Sequence, residues 1–221
     1  MARALVIGAS GGIGAALAAA LAARGDEVTG LSRRADGLDA TDEASVSSAL
    51  GALGGTFDLV LVATGALAPP GAGPEKSLRA LDPAQLAAQF ALNAAGPVLM
   101  LKHALRLLPR DRRSVFAALS ARVGSIGDNA LGGWYSYRAS KAALNQLVRT
   151  AAIEVARSHR QAICVTLHPG TVDTGFGAEF HKGRATVTPA EAAANLLHVI
   201  DGLTPADTGG FLDWSGARIP W

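Results

Sequence analysis

Short apolar runs alternate along the chain with longer stretches in which apolar positions recur every three or four residues. Residues 4–7, 27–31, 58–63, 114–119, 162–167 and 210–213 read as strands, several of them continuously apolar, as in DLVLVA and SVFAAL. Unbroken apolar runs of this length suit strands buried on both faces of a parallel sheet. Between them, 13–23 predicts an alanine-rich helix, and Asp42 is placed to cap a helix running to about Leu53. Asp82-Pro83 opens a long helix with a capping residue followed by proline at the first helical position. Thr188-Pro189-Ala190-Glu191 repeats that start and adds the S/T-x-x-E spacing of a capping box. Strands alternating with helices predict an α/β fold with a parallel sheet covered on both faces. The Pro/Gly-rich stretch 66–77, ALAPPGAGPEKS, lies inside the alternation and reads as a surface loop. One domain, 1–221, is expected.

Composition narrows the class. The 221 residues are 49% hydrophobic and 17% charged, which excludes a disordered chain. The net charge is +2, and the densest basic group, Arg110, Arg112 and Arg113, is interrupted by Asp111. That reads as a solvated turn rather than a nucleic-acid patch. The single cysteine, Cys164, excludes an internal disulfide and fits a reducing compartment. Its setting, AICVTL, marks it as a buried thiol. The uncharged run 5–23 has the look of a signal peptide or membrane span, but Gly8, Gly11, Gly12 and Gly14 interrupt it. A strand, a glycine turn and a buried helix explain it better. The expectation is a soluble, cytoplasmic protein that binds neither membrane nor nucleic acid.

The glycine turn, Gly8-Ala9-Ser10-Gly11-Gly12-Ile13-Gly14, falls at the first strand–helix junction. Glycines there permit positive φ and close approach of backbone to a ligand. The N–H groups and dipole at the helix start favour a pyrophosphate. The second strand ends in Leu31-Ser32-Arg33-Arg34, with no acid at the position where a carboxylate often holds a ribose 2′-hydroxyl. Arg33, with Arg34 or Ser10, points to the 2′-phosphate of NADP(H) rather than to NAD(H).

WYSYRASK holds a second candidate. Tyr137 and Lys141 are i and i+4, on one face of a helix, whereas Tyr135 points elsewhere. An adjacent ammonium favours the phenolate and lowers the tyrosine pKa, which makes the pair a proton donor and acceptor. Asn93 lies in AQFALNAAGPVLM, four residues before Pro97. Proline has no N–H, so the Asn93 carbonyl loses its helical partner and the helix kinks. A freed carbonyl beside an asparagine amide suits an ordered water.

Together these residues resemble the short-chain dehydrogenase/reductase family over essentially the whole chain. GASGGIG matches its cofactor motif at Gly8, Gly12 and Gly14, with Ile13 between the last two. LDATD offers Asp39 for the adenine. NAAG matches at Asn93, and YRASK at Tyr137 and Lys141. Pro169-Gly170-Thr171-Val172-Asp173-Thr174 matches P-G-x-V-x-T, where the Val172 backbone and Thr174 meet the nicotinamide carboxamide. The stretch around LSARVGSIGDNALGGWYSYRASKAALN and the ending ARIPW resemble its small carbonyl-reductase-like subgroup (C-factor-like, sniffer-like).

The resemblance implies a single-domain Rossmann fold, with a doubly wound, mostly parallel, seven-stranded sheet and helices on both faces. It implies NADP(H), a small carbonyl or alcohol substrate, no metal, and a homodimer or homotetramer paired through the long helices. Tyr137 would donate a proton to the carbonyl oxygen, Lys141 would lower its pKa and bind the ribose, and Asn93 would hold a relay water. Three departures stand out. Ala121 occupies the usual active-site serine position, leaving Ser120 or Ser125 to hold the substrate oxygen. Val62-Ala63-Thr64-Gly65 replaces N-N-A-G, with only the Gly65 backbone to approach the cofactor. Residues 33–38 leave no room for a helix before Asp39, so the adenine side is expected to be open and the third strand very short. The substrate lid is expected at 175–187, with Phe176, Phe180 and His181 as pocket residues. The second functional class is a cofactor-binding sensor or signalling protein on the same fold.

Overall fold

The computed structural model describes residues 1–176 and 185–221. Six parallel strands form one sheet in the order β2-β1-β3-β4-β5-β6. They are β1 Arg3–Ile7, β2 Glu27–Leu31, β3 Leu59–Val62, β4 Ser114–Leu119, β5 Ala162–His168 and β6 Phe211–Asp213. The apolar runs become strands because each has two faces to bury. Leu5, Ile7, Val60, Val62, Phe116, Ala118 and Cys164 point into one core layer. Their neighbours Ala4, Val6, Leu59, Leu61, Val115, Ala117, Ile163 and Val165 point into the other.

The first layer is closed by α3 Glu43–Gly51, α5 Gly96–Ala104 and α6 Tyr135–Val155, through Val46, Leu50, Met100, Leu101, Leu144 and Val148. The second is closed by α1 Gly12–Ala23 and α7 Pro189–Gly202, through Leu17, Leu21, Ala193, Leu196 and Ile200. The helices start where their capping residues stand. Asp42 accepts from Ala44 N (3.0 Å), Asp82 from Ala84 N (3.0 Å), and Thr188 and Glu191 complete a capping box. The chain runs outward from β1 to β2 and then returns to place β3 on the other side of β1. That reversal opens a crevice beyond the carboxyl ends of the strands, the usual ligand site of such sheets.

Two expectations need correction. A seventh strand does not form near Asp39 among the described residues. Leu38 N donates to Ser32 O (3.4 Å), Asp39 N to Ser45 Oγ (2.9 Å) and Asp42 N to Asp39 O (3.2 Å), so these amides serve local turns and leave no ladder for β2. The segment before it does hold a helix, the single turn α2 Arg33–Asp36, because Ser32 caps it and Gly37 ends it in the left-handed region at φ 67°.

α4 Pro83–Phe90 continues through a π-helical turn, Ala91–Ala95, into α5. The π turn is the physical form of the irregularity expected from Pro97. By length and composition the helix Pro83–Leu107 is apolar enough to cross a membrane. Here Met100, Leu101 and Ala104 on its inner face pack into the core.

Candidate active site

The glycine turn is pinned under the crevice. Gly8, at φ 93°, and Ala9 both donate to Leu31 O (2.8 and 3.1 Å), and a Cβ on Gly8 would lie 2.9 Å from the Ala63 carbonyl. Gly14 packs so closely on this turn that its Cβ would meet Gly8 O at 2.2 Å. Gly11 caps α1 without a side chain, so the first-turn N–H groups stay available beside Gly12 and Ile13. Across the opening, Thr174 closes on Gly12, whose Cβ would come within 2.7 Å of Thr174 Cγ2.

A cleft of about 890 Å³ runs between these walls. Of the residues singled out in the sequence, Gly12, Ile13, Gly65, Ser120, Tyr137, Lys141, Pro169, Gly170, Val172, Thr174 and Phe176 line it. Gly8 and Gly14 lie beneath the turn, and Asn93 is fully buried behind the wall. Ser10, Arg33 and Asp39 are exposed and lie beyond the cleft lining. Phe180 and His181 fall outside the described residues.

Tyr137 and Lys141 are 6% and 3% exposed, whereas Tyr135 is 37% exposed. Tyr137 sits between the rings of Trp134 (6.3 Å) and Phe176 (6.0 Å), with Lys141 Nζ 5.9 Å from its ring centroid. Lys141 Nζ donates to Leu119 O (2.9 Å). Burial lowers the Lys141 pKa to about 8. The same burial raises the Tyr137 pKa, opposite to the expected depression, because desolvation disfavours the phenolate.

The Asn93 amide grips the backbone after β3. Its Oδ1 accepts from Ala66 N (3.0 Å) and its Nδ2 donates to Ala66 O (2.9 Å). Nδ2 also lies 3.3 Å from Ser140 Oγ and against Gln89. Gly65 at φ 154° admits this contact, since a Cβ there would lie 2.9 Å from Asn93 Oδ1. Asn93 thus ties the end of β3 to the π turn.

The two candidate serines separate. Ser125 Oγ accepts from Asp128 N (3.1 Å) and does not line the cleft. Ser120 does line it, and its hydroxyl donates to Asn145 Oδ1 (2.7 Å). Asn145 was not singled out in the sequence, yet 137, 141 and 145 share helical i,i+4 spacing that marks one face. Its Nδ2 is buried without a partner, as are Thr64 Oγ1 and His168 Nδ1. His168 lines the cleft, and burial pulls its pKa down to about 4, against the opposing influence of Asp213, so the ring is neutral near pH 7.

On the open side, Asp36 turns back to accept from Ser32 N (2.7 Å). Asp39 Oδ1 accepts from Thr41 N (2.8 Å) and Thr41 Oγ1 (2.7 Å), which lowers its pKa. Arg33 and Arg34 are exposed, with both nearby carboxylates engaged in their own turns.

A family model described as enoyl-(acyl carrier protein) reductase matches residues 8–212. The 1-hydroxy-2-glutathionyl-2-methyl-3-butene dehydrogenase of a Rhodococcus strain is 32% identical over 236 residues, covering 100% of both chains. The C-signal protein of Myxococcus xanthus is 36% identical over 141 residues, 64% of this chain and 81% of that protein. A crystal structure of a short-chain dehydrogenase/reductase from Burkholderia multivorans with bound NADP superposes with a TM-score of 0.82 at 25% identity, covering 100% of this chain and 99% of the other.

Proposed function

From the premise that the chain belongs to the short-chain dehydrogenase/reductase family, we propose that it is an NADP(H)-dependent oxidoreductase acting on a small carbonyl or alcohol. The observation that carries this reading is the burial of Tyr137 and Lys141 together in a cleft walled by the glycine turn. The residues fit such a cofactor: the bare first turn of α1 accepts a pyrophosphate, and the close pair Gly12–Thr174 narrows the cleft beside it. Val172 and Thr174 hold the carboxamide beside Pro169 and Gly170, and Gly65 brings backbone to the dinucleotide. Arg33, helped by Arg34 or Ser10, takes the 2′-phosphate, and Asp39 faces the adenine. Asp36 there is drawn back onto Ser32 N through one carboxylate oxygen.

When bound, the cofactor supplies or accepts the hydride. During reduction Tyr137 Oη gives its proton to the carbonyl oxygen; its raised pKa keeps the proton in place beforehand. Lys141, cationic below about pH 8, stabilises the phenolate that forms. Ser120 steadies the substrate oxygen. A turn of the Asn145 amide, donating Nδ2 to Ser120 Oγ, frees the serine proton for that task. Asn93 and its π turn hold the water through which Lys141 is reprotonated. The chain is proposed to act as one cytoplasmic domain, 1–221, in a homodimer or homotetramer, without membrane or nucleic-acid partners.

NADPH oxidation measured against a panel of ketones and aldehydes tests this. Tyr137→Phe is expected to lower kcat by about 100-fold or more, the scale of acid–base catalysis, with NADPH affinity retained. Full turnover by Tyr137→Phe would refute the mechanism. The second reading, a cofactor-binding sensor, is favoured by Ala121 and by the engagement of Ser120 with Asn145. It gains if NADPH binds tightly and no carbonyl is reduced.

A further inference from the structure

Glu75, in the loop that reads from sequence as surface, is 3% exposed. Carboxylates are rarely buried unless their oxygens are fully engaged. Here they are engaged by the start of α6. Ser136 N donates to Oε2 (3.2 Å), and Ser136 Oγ donates to Oε1. The Glu75 carbonyl accepts from Trp134 N (2.5 Å).

α6 needs this help. Its N-cap is Trp134, which has no side-chain cap and adopts φ 52°, ψ 45°. Among the described residues it is the one non-glycine with positive φ. A bulky residue there is strained and persists only where its surroundings impose it. An indole also has no oxygen with which to satisfy the first-turn amides. Glu75 supplies both missing elements, 61 residues before Ser136. The consequence reaches the cleft directly. Trp134 lines it, Tyr137 follows Ser136, and the two rings meet edge-on at 6.3 Å.

We propose that Glu75 is a positioning residue: its carboxylate caps α6 from outside the helix at Ser136 while its backbone carbonyl takes the Trp134 amide, and together they set the Tyr137 hydroxyl in the cleft. This rests on the reading of Tyr137 as the acid–base group. Displacement of a reacting group by about 1 Å costs on the order of 100-fold in rate, so a loosened first turn is felt in turnover.

The test compares Glu75→Ala, Glu75→Gln and Ser136→Ala in the full chain. Three readouts are taken: hydrogen exchange of amides 134–137, NADPH affinity, and kcat with the best carbonyl of the panel. Glu75→Ala is expected to speed exchange at these amides and lower kcat at least tenfold, with NADPH affinity within twofold. Glu75→Gln keeps an acceptor for Ser136 N and is expected to recover most of kcat. If Glu75→Ala does not fold, Ser136→Ala removes only the hydroxyl contact and is expected to lower kcat several-fold in a folded protein. Unchanged exchange and kcat in these variants overturns the proposal, as does a Gln variant no better than Ala. Should the wild-type chain reduce no carbonyl, the oxidoreductase reading fails. Exchange at 134–137 then still decides whether Glu75 holds the start of α6.

Discussion

Tyr137 and Lys141 share one environment that acts on them in opposite directions. Burial lowers the lysine from 10.5 to about 8 and raises the tyrosine above its ordinary 10.0. Between pH 8 and 10.5 the unfolded chain holds the Lys141 proton that the folded chain has lost. Stability from this group therefore rises with pH across that window, and is depressed below it by the desolvated charge. Tyr137 works the other way above pH 10, where the unfolded chain ionises first. Lys141→Met is expected to be inactive yet more stable at pH 7, by no more than about 3 kcal/mol, with the rise toward pH 10 removed. Urea midpoints at several pH values check this; parallel curves for both proteins would contradict it. The site's legibility follows from range. Tyr137, Lys141 and the glycine turn could be read because their chemistry depends on local spacing. Asn145 obeyed the same i,i+4 rule and was readable in principle. Glu75 was not, since its burial depends on a partner 61 residues away.

At the scale of elements, the clearest link from residue to geometry is Pro97. It removes one donor, and the chain responds with a π turn over Ala91–Ala95 that aims Asn93 at Ala66. Pro97→Ala restores the donor and invites a regular helix through this point. Proline costs about 3 kcal/mol in a helix interior, so the variant is expected to melt at the same or a higher temperature. Asn93 would rotate off the Ala66 backbone, and turnover is expected to fall tenfold or more. A thermal melt with matched kinetics checks both; unchanged turnover would show that the kink serves packing alone. Strands and long helices were legible because apolar period and capping residues act locally, as at Asp42, Asp82 and Thr188. The segment after β2 is not legible in this way, because its outcome turns on competing short-range bonds. Ser32 and Gly37 there form one helical turn, and Ser45 takes the amide of Asp39 that a seventh strand would need.

Over the whole molecule, the two core layers account for most apolar positions, and those left outside them concentrate meaning. Phe90 on α4 and Leu147 and Ile153 on α6 are 37%, 39% and 53% exposed. These helices pack against each other and carry the π turn's neighbour and Tyr137 respectively. Exposed apolar side chains on adjoining helices are what a partner surface requires. Even-numbered assembly entered from the family resemblance, because no pattern along the chain tells which apolar helix positions a neighbouring helix will leave uncovered. With the fold in place, the outer faces of α4 and α6 are the surface on which to test it. Sedimentation at micromolar concentration is expected to give a dimer or tetramer. Leu147→Arg with Ile153→Glu is expected to give a smaller species with unchanged circular dichroism, because neither side chain belongs to a core layer. A monomeric wild type would remove the assembly from the proposal. A double variant that stays assembled would move the interface to another face while leaving the cleft chemistry intact, since no residue lining the cleft lies among those substituted.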